Sequence, residues 1–201
     1  MRAKWFTRAG AAVAVVAAIA SSSCTETARR GQASSQLTIM SIQTARGAGT
    51  VPTSFINGPL LSDVQDASGT IFDDFASVTM RVTLKDLGAP GVAAIPTIMN
   101  DVTVTRYRVV YRRSDGRNVE GVDVPRAVEG ALTLTIAGNN TGVAVIEIVR
   151  HVAKLEAPLA ALRGNLNVLS TTAEITFFGR DQTGNELSAT SSILINFANF
   201  N

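Results

Sequence analysis

Hydrophobic and polar residues alternate with a period of two along most of the chain after residue 36. Val78, Met80, Val82 and Leu84 are each separated by a polar residue, as expected for a strand with one buried and one wet face. Residues 102–113 continue this pattern with many β-branched and aromatic side chains, which favour strands. The predicted strands cover residues 37–44, 78–84, 102–113, 131–136, 143–149 with an extension toward Ala153, 173–178 and 188–197.

Turn residues separate these strands at short intervals. Asp115-Gly116 follows one strand, Gly138-Asn139-Asn140 ends another, and residues 180–185 join the last two as a hairpin. Short strands with such spacing favour an all-β, antiparallel sandwich of seven to nine strands over residues 36–201. A helix of at most two turns is expected only within residues 157–163, as a connection.

Residues 47–74 break the alternation. They mix Gly, Pro and Ser with large apolar residues such as Phe55, Leu60 and Phe72, which a fully solvated loop would not carry. One interpretation is a long crossover that packs over the end of the core. The alternative is a loop that binds a partner.

The N-terminal residues predict export. Arg2, Lys4 and Arg8 precede an uncharged run over residues 9–20, which is too short to cross a bilayer and indicates a signal peptide over residues 1–23. Residues 21–24, Ser-Ser-Ser-Cys, are similar to a bacterial lipobox, although Ser21 replaces the usual aliphatic residue.

Cys24 is the single cysteine of the chain, so no intrachain disulfide is possible, and acylation would remove a reactive thiol. We expect lipidation at Cys24, a polar tether over residues 24–35 and an outer-membrane location. The alternative is cleavage after Ala20 and a secreted product.

Charge excludes one class of partner. Removal of the signal leaves 15 of the 18 basic residues against all 16 acidic residues, so the mature net charge is about −1. This near-neutral balance gives no electrostatic case for nucleic-acid binding.

Catalytic chemistry has little basis in the sequence. His151 is the only histidine, and the chain contains neither a Gly-x-Ser-x-Gly elbow nor a Ser-x-x-Lys motif. The acidic residues Glu120, Glu129, Glu147 and Glu174 are scattered singly, with the expectation that Glu147 or Glu174 pairs with an arginine. We therefore expect no enzyme, no cofactor and no dedicated metal site.

Calcium is the least implausible ion, because turns at the end of a sandwich can supply oxygen ligands. None of the candidates forms the dense acidic loop of a dedicated calcium site. The candidates are Asp63, Asp66, Asp73, Asp74, Asp115, Asp181, Asn185 and Glu186.

The strand over residues 102–113 predicts an arginine strip. Arg106, Arg108 and Arg112 share one face, and Tyr107 and Tyr111 point to the other. A solvated face is the simpler interpretation, and a strip that binds an anionic glycan or an acidic partner is the alternative.

Two segments resemble known proteins. Residues 107–116, Tyr-Arg-Val-Val-Tyr-Arg-Arg-Ser-Asp-Gly, resemble the C strand and turn of fibronectin type III and immunoglobulin-like domains. Residues 173–190, together with the Ile-Asn-Phe-Ala-Asn-Phe run over 195–200, are similar to a group of uncharacterised bacterial lipoproteins. The first resemblance implies an immunoglobulin-like, antiparallel β-sandwich, and the second implies no activity.

These observations predict a non-enzymatic envelope lipoprotein that is attached to the membrane by its N-terminal lipid. Its domain would bind an envelope protein or a surface polymer. One alternative is a carbohydrate-binding or glycan-active sandwich, which would need exposed coplanar rings. The other is a calcium-dependent adhesion domain.

Overall fold

A computed structural model describes residues 32–200 and confirms the all-β prediction. Eight longer strands fall within the predicted number, and two strands of two residues form a small extra hairpin. The strands are β1 (Ser35–Ala45), β2 (Leu60–Asp63), β3 (Asp74–Leu84), β4 (Gly88–Ala89), β5 (Val92–Ala93), β6 (Val102–Arg112), β7 (Val128–Ile136), β8 (Thr141–Val149), β9 (Leu169–Asp181) and β10 (Glu186–Ala198). The helices are α1 (His151–Leu155) and the 3-10 helices Ile98–Asn100 and Leu159–Leu162.

The longer strands form two sheets. One has three strands in the order β1-β3-β8, and the other has five in the order β2-β10-β9-β6-β7. Neighbours are antiparallel except for β2, which runs parallel to β10. The short parallel strand lies within residues 47–74, so part of the predicted crossover joins the sheet edge. An immunoglobulin-like stacking of the two sheets stays a prediction.

One buried cluster contains side chains from both sheets. Val78, Met80 and Val82 of β3 are fully buried together with Ile175 and Phe177 of β9. Alternate positions of the longer strands enter this cluster, because successive side chains point to opposite faces of a sheet. Each such buried side chain stabilises the fold by about 1.5–3 kcal/mol relative to an exposed one.

The predicted extension of β8 to Ala153 is wrong. The strand ends at Val149, and α1 begins at His151, where the Asp73 carboxylate accepts a hydrogen bond of 2.6 Å from the backbone N–H. This distant side chain satisfies one of the free N–H groups at the start of the helix. The helical turn expected within residues 157–163 is present as Leu159–Leu162.

The strand registers define two ends of the domain. At the hairpin end, Ser35 pairs with Leu84, and Val102 pairs with both Ile136 and Asp181. This end also carries the β4–β5 hairpin. At the loop end, Ala45 pairs with Phe75, and the connections over 46–59, 64–73, 113–127 and 150–168 come together.

The chain enters the fold at the hairpin end. β1 begins at Ser35, one residue before the expected boundary, and Ala33 and Ser35 are buried. Cys24 and the predicted signal lie outside the described residues. Within residues 32–200, no helix is long and apolar enough to cross a membrane.

Candidate functional site

The loop end is built around a buried ion pair. The Lys154 ammonium lies 2.7 Å from the Asp74 carboxylate, and their side chains are 1% and 0% exposed. Asp74 also accepts hydrogen bonds from the Ser62 hydroxyl at 2.6 Å and the Gly47 N–H at 3.1 Å. Lys154 donates a further bond of 2.8 Å to the Phe72 carbonyl. Buried charges persist only with such partners, so these contacts hold α1, β2, β3 and the loop between them together.

Burial raises the pKa of the Asp74 carboxyl, and the opposing contacts with Lys154, Ser62 and Gly47 act to lower it. Removing water from a carboxylate disfavours its charged form, whereas a nearby ammonium and donated hydrogen bonds favour it. The contact between Lys154 and Asp74 and the three further hydrogen bonds, with Ser62, Gly47 and Phe72, therefore favour charged groups at this depth.

A second pair lies beside the first at the surface. His151 Nδ1 lies 2.8 Å from Oδ1 of Asp73, and the two side chains are half-exposed. Partial burial raises the pKa of Asp73, but the hydrogen bonds from the backbone and ring of His151 outweigh it, and the pKa lies below its ordinary value. The contacts with Asp73, which accepts a hydrogen bond from the first residue of α1, thus account for the position of His151.

These residues border an open groove of about 410 Å³. Its lining is apolar on several sides and carries the Asp73–His151 pair on another, which is the composition of a recognition site with a few polar anchors. The lining residues are Gly49, Thr50, Val51, Ile71, Phe72, Asp73, Phe75 and His151, and they include neither serine nor cysteine.

The loop end also exposes large apolar side chains. Among them, Val51 is 59% exposed at the groove, and Val152 and Leu155 are about half exposed on α1. The others are Ile56, Val119, Val122, Leu166, Val168 and Phe200. An ion pair between Arg126 and Glu156, at 3.4 Å, connects the 113–127 loop to the segment after α1.

Residues 47–74 combine a part that is buried in the core with a part that is exposed to solvent. Leu60 and Val64 are buried in the core cluster, as expected for a crossover that packs over its end. Val51 and Ile56 are exposed, although Ile56 is tied by two backbone bonds of 2.9 Å to Thr44. The crossover is therefore fixed in place and still offers apolar side chains to solvent.

The arginine strip has the predicted orientation. Arg106, Arg108 and Arg112 point outward from β6, and Tyr107 and Tyr111 are buried in the core. Arg108 pairs with Glu129 at 3.5 Å, and Arg112 pairs with Glu174 at 3.4 Å, which bears out the expected Glu174–arginine contact.

The remaining arginine of the strip lies over a ring, with the Arg106 guanidinium 3.6 Å from the centroid of Phe178. Each arginine of this strip therefore contacts a side chain on a neighbouring strand of the same sheet. Exposed pairs of this kind contribute little to stability, about 0–1 kcal/mol each.

The calcium candidates are spread over separate contacts. Asp181 accepts bonds from Thr183 and Asn185 within its own turn, and these bonds lower its pKa against the opposing effect of partial burial. Asp115 contacts Arg113 and Arg117, and Asp63 contacts Arg46. Across residues 32–200, no three His, Cys, Asp or Glu side chains come together as a metal site.

Sequence reasoning missed Lys154 and Ser62. Asp73 and Asp74 were candidates only as calcium ligands, whereas the structure pairs them with His151 and Lys154. A lysine among apolar neighbours, in His-Val-Ala-Lys-Leu, was the one available signal for burial. Its partner lies far away in the chain and could not be identified from local spacing.

Comparisons with known proteins add little to this description. No family model matches the chain, and no curated protein matches it. A solved structure described as "X-ray structure of Northeast Structural Genomics Consortium target SoR45" is similar over 80% of this chain and 84% of its own, with 12% identity and a TM-score of 0.37.

Proposed function

We propose that this protein is a non-enzymatic envelope lipoprotein, anchored through Cys24, whose loop end binds another component of the envelope. The groove beside the Asp73–His151 pair is the observation that carries the binding role. The lipobox-like Ser-Ser-Ser-Cys at residues 21–24, after a signal-like segment, supports the anchor.

Binding to a preformed surface requires little free energy for the ordering of that surface. The buried Asp74–Lys154 pair fixes α1 against the crossover, so the groove keeps its form without a ligand. Exposed valines next to fixed polar groups suit an apolar contact with a few directional hydrogen bonds. An envelope protein with an apolar segment fits this surface better than a highly charged polymer.

A glycan site gains less support from the same surface. Stacking on sugars needs exposed aromatic faces, but Tyr107 and Tyr111 are buried, and the single Trp of the chain is Trp5 in the predicted signal. The half-buried Phe72 and Phe75 line the groove together with apolar and polar residues. The carbohydrate alternative therefore rests on the fold class alone.

Two measurements test the proposal. Mass spectrometry of the N-terminal peptide should find acyl chains on Cys24, and the Cys24→Ala variant should leave the membrane fraction. A photo-crosslinking amino acid at Val51 should give a discrete adduct in the native envelope. Val143, which is equally exposed on β8, is the matched control position and should not. An unmodified Cys24, or equal adducts at both positions, would contradict the proposal.

A further inference from the structure

The segment from Leu87 to Asn100 contains no charged residue in fourteen positions. It comprises the β4–β5 hairpin and the 3-10 helix Ile98–Asn100, and we call it the apolar hairpin. Five of its large apolar side chains are between 51% and 84% exposed. They are Leu87, Val92, Ile95, Ile98 and Met99. Such a run of exposed apolar residues marks a contact surface.

The hairpin is held in a defined form. Pro90-Gly91, with Gly91 at a φ of +83°, is the residue pair that a type II turn requires. The Ala94 N–H donates to the Leu87 carbonyl at 3.1 Å. At its base, Pro96 packs so closely on Gly138 that a Cβ there would lie 2.7 Å from the proline. These contacts fix the backbone of the hairpin, and its apolar side chains are exposed in that fixed conformation.

Hydrogen bonds place the apolar hairpin next to the N-terminal segment. The carbonyl of Ser34 accepts a bond of 3.0 Å from Lys85, just before the hairpin. The hydroxyls of Ser34 and Ser35 bond to Asn100, its last residue, at 2.8 and 2.9 Å. The chain that comes from Cys24 thus enters the domain between the two ends of the hairpin.

The length of that chain limits the distance to the membrane. Ten residues lead from Cys24 to Ser34, and a fully extended chain of that length spans at most about 35 Å. A bilayer that holds a lipid on Cys24 is therefore within reach of the apolar hairpin. The hairpin can enter the interface without burying a charge, because it has none.

We propose that the apolar hairpin inserts its large side chains into the membrane that holds the lipid, and that this contact orients the domain. The inference rests on the proposed function, because it places a lipid on Cys24. Several acyl chains suffice for retention, so the hairpin acts on orientation. With the hairpin end on the bilayer, the groove at the loop end faces away from the membrane, where a partner can reach it.

Tryptophan fluorescence tests the contact directly. The variants Ile95→Trp and Leu166→Trp are purified in lipidated form and reconstituted into phosphatidylcholine vesicles with brominated acyl chains. Leu166 is the matched control, because it is 93% exposed at the loop end. After removal of the signal that contains Trp5, each variant has one tryptophan. We expect blue-shifted, quenched emission from Ile95→Trp and unquenched emission from Leu166→Trp.

The outcomes separate the two proposals. Equal quenching of both variants, or of neither, overturns the membrane contact, while acyl chains on Cys24 in the same sample keep the anchor. A blue shift of Ile95→Trp without bromine quenching, together with a doubled mass of the non-lipidated Cys24→Ala protein in solution, would instead assign the hairpin to a second copy of the chain and would also overturn the membrane contact.

A non-lipidated form gives a second, independent readout. The mature Cys24→Ala protein should bind the same vesicles weakly through the hairpin alone. Ile95→Asp in that background should lower the partition coefficient by about tenfold or more, because the transfer of one large apolar side chain is lost. Unchanged partition, with an unchanged circular dichroism spectrum, would contradict insertion. This partition measurement does not depend on acylation, so it tests membrane insertion of the hairpin even if Cys24 carries no lipid.

Discussion

The two ends of this domain are ordered by opposite means. At the loop end, two side-chain pairs hold the connections: the buried ion pair of Lys154 with Asp74 and the half-exposed pair of His151 with Asp73. At the hairpin end, the apolar hairpin is held by a turn, backbone bonds, the packing of Pro96 and single hydrogen bonds of Asp86 and Asn100, and none of its own residues is charged. The members of a buried polar network depend on one another, so the loss of one weakens the contacts of the rest. Exposed side chains on a segment that is held by backbone bonds can be substituted without breaking those bonds.

The largest effect should come from Lys154→Ala. The substitution leaves the Asp74 carboxylate buried without its ammonium partner, which costs about 3–5 kcal/mol of the free energy of unfolding. Urea denaturation followed by circular dichroism measures this loss. The double variant Lys154→Met with Asp74→Asn should regain part of the stability, because no buried charge remains. A loss under 1 kcal/mol in the single variant, roughly that of a surface pair, would contradict the assigned role.

A smaller effect, dependent on pH, is expected for Asp73→Asn. Asp73 has a pKa below its ordinary value of 3.8, so its stabilising contribution is present above that value and is lost as the pH falls through the folded pKa. At neutral pH, the free energy of unfolding of the variant should fall by up to about 1 kcal/mol, the upper value for a solvent-accessible pair. Denaturation curves across acid pH should show the gap between the two proteins closing. A gap that stays constant well below the ordinary pKa would refute this assignment.

The smallest effect should follow from Leu87→Ser together with Ile95→Ser. Both side chains are exposed, so the free energy of unfolding in solution should change by no more than about 0.5 kcal/mol. Val82→Ser is the matched control, because Val82 is fully buried and its loss should cost about 2 kcal/mol or more. If the double hairpin variant were as unstable as the control, the hairpin would be part of the core and the contrast between the ends would fail.

The longer antiparallel strands could be predicted because each of them carries its own signal, whereas the short parallel strand β2 was not predicted. Val78, Met80 and Val82 alternate with polar residues, and this alternation alone determines which side chains are buried. α1 was missed because its sequence continues the apolar pattern of β8. Its start depends on Asp73, which lies in a different part of the chain.

The apolar hairpin and the groove at the loop end could not be predicted from the sequence. Neither strand nor site was predicted between Leu84 and Val102, because the apolar hairpin has no regular period. The burial of Lys154 depends on an ion pair with a distant residue, which spacing cannot reveal. The near-neutral charge expected for the mature part is a sum over that part and does not indicate where its uncharged surface lies.

The attachment of Ser35 at the start of β1 has a mechanical consequence. A force applied through the N-terminal segment, against a load held at the loop end, acts along β1. β1 is antiparallel to β3 from Ser35–Leu84 to Ala45–Phe75, and the ladder bonds lie perpendicular to that force. Such a force shears the whole ladder at once and cannot open it one bond after another. The β1–β3 register therefore predicts a high resistance to a force applied between the N-terminal segment and the loop end.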